Sequence, residues 1–68
     1  MAIEIRLKQM REAKGISQNA LARELGMSLT NIQKIERGAA KSVPLDTLDN
    51  FCRVLECKVC DLLVQVDN

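Results

Sequence analysis

Ala22, Gly26, Ile32 and Ile35 stand at spacings that leave few folds open to this chain. Leu21, Ala22 and Leu25 recur at helical spacing behind Ser17, a good N-cap, which predicts a helix over residues 18–25. Gly26 ends it, because glycine takes a positive φ at no steric cost. Ser28 caps the next helix, Ile32 and Ile35 are its inward pair, and Gly38 closes it. Two helices crossing steeply need a small side chain near the crossing, and Ala22 supplies it. Leu21, Leu25 and Met27 are the apolar counterparts of the two Ile. The leading half of the second helix, Ser28-Leu29-Thr30-Asn31, is mostly polar and free of obligatory core positions.

That pattern over residues 18–37 matches the DNA-binding helix-turn-helix, with a purely structural helical hairpin as the alternative at this point. The flanks add three more helices. Leu7, Met10 and Ala13 recur at helical spacing before Gly15. Pro44 suits a helix start, and Leu45, Leu48, Phe51, Cys52 and Leu55 repeat every three or four residues behind it. Asp46 sits near the positive end of that helix. A short fifth helix is predicted over Val59 to Leu63. Outside the helices, Ile3-Glu4-Ile5-Arg6-Leu7 and Val64-Gln65-Val66 alternate with period two, predicting a short strand at each end.

The 68 residues allow one domain with a modest core, which dimerisation or a bound partner would support. The chain opens on Met1 and reads as one complete small protein, with no secretory signal and no apolar run long enough to cross a bilayer, so the cytoplasm is expected. There is one Phe and no Tyr, Trp or His. Aromatic stacking on bases and His-based acid–base or metal chemistry are thereby excluded. Nor is there a Gly-rich phosphate loop or a paired-carboxylate site, so no enzyme activity is expected. Charge is uneven beneath a net of +1. Residues 1–41 hold eight Lys/Arg against four Glu; residues 42–68 hold two against five acids. The first part suits a polyanion and the second faces away, although chance clustering would give the same counts.

The words Leu-Lys-Gln-Met-Arg-Glu-Ala-Lys-Gly-Ile-Ser-Gln (7–18), Leu-Ala-Arg-Glu-Leu-Gly-Met-Ser (21–28) and Ile-Gln-Lys-Ile-Glu-Arg-Gly (32–38) resemble the Cro/repressor-type (XRE-like) helix-turn-helix DNA-binding family. Leu-Asp-Thr-Leu, Leu-Glu-Cys and Asp-Leu-Leu within 45–63 resemble its last two helices. The resemblance implies an all-α, five-helix lambda-repressor-like domain with double-stranded DNA as ligand. It implies an ion pair between Arg11 and Glu36, which would remove an awkward acid from beside phosphates. It also implies that Gln18 contacts a phosphate and braces a side chain on the recognition helix, with Ser28, Arg37, Lys41 and Ser42 as further phosphate contacts. The base-reading candidates are Leu29, Thr30 and Lys34, then Asn31 and Gln33. Thr30 and Lys34 stand one turn apart and face the groove together. Lys34 can donate to guanine, Thr30 can bond or touch a thymine methyl, and Leu29 suits a methyl or packs against the turn.

Cys57-x-x-Cys60, with Cys52 before it, has the spacing of a metal half-site or redox switch, but a fourth ligand is missing and Cys52 falls on the apolar helix face. No cofactor is expected. The terminal strands, within residues 2–6 and 63–67, either pair across two chains to join a homodimer or pair within one chain and clip its ends. The leading expectation is a repressor binding a palindromic operator as a homodimer. The alternative is a protein-interaction module, such as an antitoxin, with DNA binding secondary.

Overall fold

The structure, a computed structural model, describes residues 2–67. Met1 and Asn68, the outermost residues of the expected 1–68 domain, lie outside the described residues. The elements in order are β1 (Ala2–Ile5), α1 (Leu7–Ala13), α2 (Gln18–Leu25), α3 (Leu29–Glu36), α4 (Leu45–Leu55), α5 (Val59–Leu62) and β2 (Leu63–Val66). The five helices form an all-α domain, and β1 and β2 add a two-stranded antiparallel ribbon.

The caps explain where α2 and α3 begin. Ser17 Oγ accepts from the backbone N–H of Ala20 at 3.0 Å, and Ser28 Oγ accepts from that of Asn31 at 3.1 Å. Each hydroxyl satisfies an N–H that a helix start leaves without a partner. Between the two helices Gly26 is left-handed at φ 65°, and the Met27 N–H returns to Ala22 O at 2.9 Å. The chain therefore turns sharply without wasting backbone hydrogen bonds.

Eight residues form the buried core: Leu7, Leu21, Ala22, Ile32, Ile35, Phe51, Leu55 and Leu62. They come from all five helices, and no described polar or charged residue is buried with them. α2 packs on both α3 and α4, while α1 packs on α3 and α5. Burying Leu21 and Ala22 against Ile32 and Ile35 holds α3 from behind and leaves its other side uncovered.

Four expectations shift. Leu45 is 83% exposed, because the inward stripe of α4 centres on Phe51 and Leu55 while Leu45 stands at the helix's first residue. Ala13 is exposed at the end of α1, where Met10 is half-buried. Helix α5 stops at Leu62, and Leu63 already belongs to β2. Within the first alternation, Leu7 opens α1 instead of ending the strand.

The ends pair within the chain. Ala2 faces Val66, Ile3 faces Gln65, Glu4 faces Val64 and Ile5 faces Leu63. The Arg6 N–H donates to Leu62 O at 2.7 Å, so the pairing runs on to the junction of α5 and β2. Ile5 packs on the core, whereas Ile3 is 64% exposed. No helix among the described residues is long and apolar enough to cross a membrane.

Candidate nucleic-acid interface

Helix α3 presents Thr30, Asn31, Gln33 and Lys34 to solvent, with Leu29 half-buried at its first residue. Ile32 and Ile35 face inward, so these polar residues occupy the rest of the helix surface. Ser28 precedes them, its hydroxyl oxygen engaged by Asn31 N–H, which leaves its own O–H free to donate. Arg37 follows at the helix C-terminus, exposed, and Lys41 and Ser42 are exposed in the loop beyond.

The loop and the start of α4 stand beside α3 and form a groove of about 610 Å³. Asn31, Lys34, Lys41, Ser42 and Thr47 supply its polar lining, and no acidic residue lines it. Two lysines in a groove without carboxylates create a positive potential of the kind that draws a phosphate backbone. A second groove of about 520 Å³ runs between β1, α1 and the same loop. There Lys8, Arg37, Lys41 and Ser42 meet Glu4 and Glu36, so its charge is mixed.

Behind α3 lies a polar network. Arg11 Nε donates to Glu36 Oε2 at 2.6 Å and Arg11 Nη2 to Glu36 Oε1 at 3.3 Å, while Nη1 donates to Ile16 O at 2.9 Å. Only 11% of the Arg11 side chain and 5% of the Glu36 side chain are exposed. Gln18 Nε2 donates to Glu36 Oε1 at 2.9 Å, and Gln33 Nε2 donates to Gln18 Oε1 at 3.3 Å. Helices α1, α2 and α3 are thus joined through side chains at the edge of the exposed face. Burial pushes the Glu36 carboxyl up, but hydrogen bonds from Arg11 and Gln18 and the charges of Arg11 and Lys8 outweigh it and hold the carboxyl below its ordinary value. The Arg11 guanidinium is held above its ordinary value, first by its hydrogen bond to Glu36 and against the effect of burial.

The structure brings eight of the candidates together in two groups and leaves Ser28, Leu29, Thr30 and Arg37 outside both. Asn31, Lys34, Lys41 and Ser42 line one groove, and Gln18, Gln33, Arg11 and Glu36 form one hydrogen-bonded chain. Two residues escaped the sequence reading. Thr47 lines the groove with Lys34 and Lys41, because the loop folds the first turn of α4 back toward α3. Lys8 acts on Glu36 and stands three residues before Arg11, so their shared helix face was a usable signal.

The cysteines lie elsewhere. Cys52 and Cys57 are half-buried and adjacent at the end of α4, while Cys60 is exposed on α5. Burial pushes the Cys57 thiol up, and the neighbouring Cys52 adds to the shift. Among the described residues, no three His, Cys, Asp or Glu side chains gather where they could hold a metal.

Comparison with known proteins places this geometry among relatives. A family model described as the Cro/C1-type HTH DNA-binding domain matches residues 6–68. An uncharacterised HTH-type transcriptional regulator of Bacillus subtilis (strain 168), YozG, is 33% identical over 63 residues, which is 93% of this chain and 75% of YozG. A structure of SinR, a master regulator for biofilm formation, in complex with DNA superposes with a TM-score of 0.74 at 31% identity, over 79% of this chain and 86% of that one. The SinR–SinI protein complex gives 0.75 at 30% identity, over 82% of this chain but 54% of that one. ClgR, the clp gene regulator from Corynebacterium glutamicum, gives 0.75 at 30% identity, with 82% and 58% covered. The chain thus spans little more than half of the partner chain in two of these three structures.

Proposed function

The chain belongs to the Cro/C1-type helix-turn-helix DNA-binding family, a family of transcription regulators, and from that premise we propose that it is a repressor that binds a palindromic operator as a homodimer. In this reading residues 1–68 act as one helix-turn-helix domain with the motif at 18–37, working in the cytoplasm. The supporting observation is the exposed row of Thr30 and Lys34 on α3, beside a groove with two lysines and no acid. Helix α3 enters the major groove. Leu29, Thr30, Asn31, Gln33 and Lys34 meet base edges, and Gln18, Ser28, Arg37, Lys41 and Ser42 hold phosphates. Occupying a promoter blocks it sterically, which needs no surface beyond α3 and its flanks. A two-fold dimer sets its recognition helices about 34–36 Å apart, or a multiple of that, and makes the operator palindromic.

The dimer contact is assigned to residues 2–6 and 63–67. Ile3 is 64% exposed there, on a sheet of only two strands, β1 and β2.

Selection of bound sequences from a random DNA pool gives the half-site and its symmetry together. Lys34→Ala and Thr30→Ala are expected to weaken binding to the selected site about 5- to 100-fold each while leaving the helical circular dichroism unchanged. Full affinity and full selectivity in both variants would remove α3 as the reading helix.

A second reading, a protein-interaction module of the antitoxin kind, draws on the far side of the molecule. Leu45 and Val59, 83% and 51% exposed, line a groove of about 450 Å³ with Leu48 and Cys52. A stoichiometric protein partner retained by the wild type and lost with Leu45→Glu would favour it.

A further inference from the structure

Gln33 is one of several polar residues on α3, and nothing in its position alone says which base it would read. Its hydrogen bonds do. An amide side chain has a donor end and an acceptor end, and which end faces outward is decided by the partners that fix the other. Here the decision starts at a charge. The Arg11 guanidinium carries donors only, and both Glu36 oxygens accept from it. Glu36 is therefore ionised and can only accept. The Gln18 amide must turn its Nε2 toward Glu36, as it does at 2.9 Å. That turns Gln18 Oε1 toward α3, and only a donor can meet it; Gln33 Nε2 does so at 3.3 Å. The remaining end of Gln33, Oε1, accepts from no described residue, and the side chain is exposed beside Thr30 and Lys34.

We propose that Gln33 is a specificity-determining residue whose amide orientation is set by the relay Arg11–Glu36–Gln18, so that it presents its carbonyl oxygen to the major groove and selects a base with an exocyclic amine. Adenine N6 and cytosine N4 are the donors in that groove, whereas guanine O6 and thymine O4 are acceptors and would oppose the Gln33 oxygen. The second hydrogen on Gln33 Nε2 remains available for adenine N7, which ranks adenine above cytosine. Gln18 thus does more than brace α3: it transmits the polarity of a partly buried ion pair to the reading surface. The proposal rests on α3 being the reading helix.

The test is selection from a random double-stranded pool with the full chain as wild type, Gln33→Ala and Gln18→Ala. The wild type is expected to favour adenine or cytosine over guanine or thymine roughly fivefold or more at one position of each half-site. Gln33→Ala is expected to bring that position to within about twofold of even and leave the others unchanged. Gln18→Ala frees the amide to rotate, so the same position should admit guanine and thymine while the positions read by Thr30 and Lys34 keep their preference. Gln18→Ala also removes a phosphate contact, and for that reason base preference, not affinity, is the readout. A wild type that selects a sequence unaffected by Gln33→Ala, or that favours guanine or thymine at the affected position, overturns the assignment and leaves the regulator reading standing. A wild type that selects no sequence overturns both. Loss of preference in Gln33→Ala but not in Gln18→Ala overturns the relay.

Discussion

Gly26 holds φ 65°, and a Cβ placed on it would meet nothing within 4 Å. The cost of a side chain there is purely one of backbone conformation, about 1–2 kcal/mol for the left-handed region. Gly26→Ala is therefore expected to lower Tm by roughly 4–8 °C for each kcal/mol lost, with the helical content retained. The mirror case is Glu56, which ends α4 at φ 51° without being glycine. Glu56→Gly should raise stability by about 0.5–1 kcal/mol, the strain relieved less the entropy glycine loses on folding. Urea titration of both variants checks the pair of signs. A destabilised Glu56→Gly would mean that the glutamate side chain contributes something beyond ending the helix.

Between elements, the decisive contact is the Arg11–Glu36 bridge from α1 to the end of α3. Removing one partner strands the other in a nearly closed site, at a cost of about 3 kcal/mol, the lower end for a buried pair. Arg11→Met with Glu36→Leu in one chain is expected to cost less than the sum of the two single changes, read from urea unfolding at neutral pH. The pH dependence has a definite sign. Glu36 titrates below its ordinary value of 4.5 in the folded protein, so its contribution is complete above that value and is lost as pH falls through the lower folded one. Below pH 4.5 the loss of stability with acid should accordingly be shallower in Glu36→Gln than in the wild type. The helices themselves were legible because each carries its own local signals. Ser17 and Ser28 cap, Gly26 turns, and Leu21, Ile32 and Ile35 mark one inward face. What was not legible depends on neighbours distant in sequence. The exposure of Leu45, the end of α5 at Leu62 and the place of Thr47 in the groove are all settled by packing that local periodicity does not contain. The link from Gln18 to Gln33 is of the same kind, since it joins residues fifteen apart in sequence on two different helices.

For the molecule as a whole, charge is unevenly divided between the first three helices with their loop and the last two helices. The Lys/Arg excess of residues 1–41 includes Lys34, Arg37 and Lys41 on and after α3, whereas the acids of the second part include Asp49 and Asp61 on α4 and α5. Binding governed by counterion release should weaken steeply with salt. Lys41→Ala is expected to weaken specific and non-specific DNA alike and to reduce the slope of log K against log salt by about 1. An unchanged slope in a titration from low to moderate salt would show that Lys41 does not touch a phosphate.

The ribbon of β1 and β2 has a consequence for biosynthesis. Residues 2–5 leave the ribosome before the strand they match, 63–66, and every helix is made in between. In the interval the leading strand is an orphan with bare hydrogen-bonding groups along both sides. Any change that slows docking of the intervening helices prolongs that exposure. In a crowded polysome such an orphan can pair with the matching strand of a sibling chain, so exchange between nascent copies is the misassembly expected of a variant that docks its helices slowly.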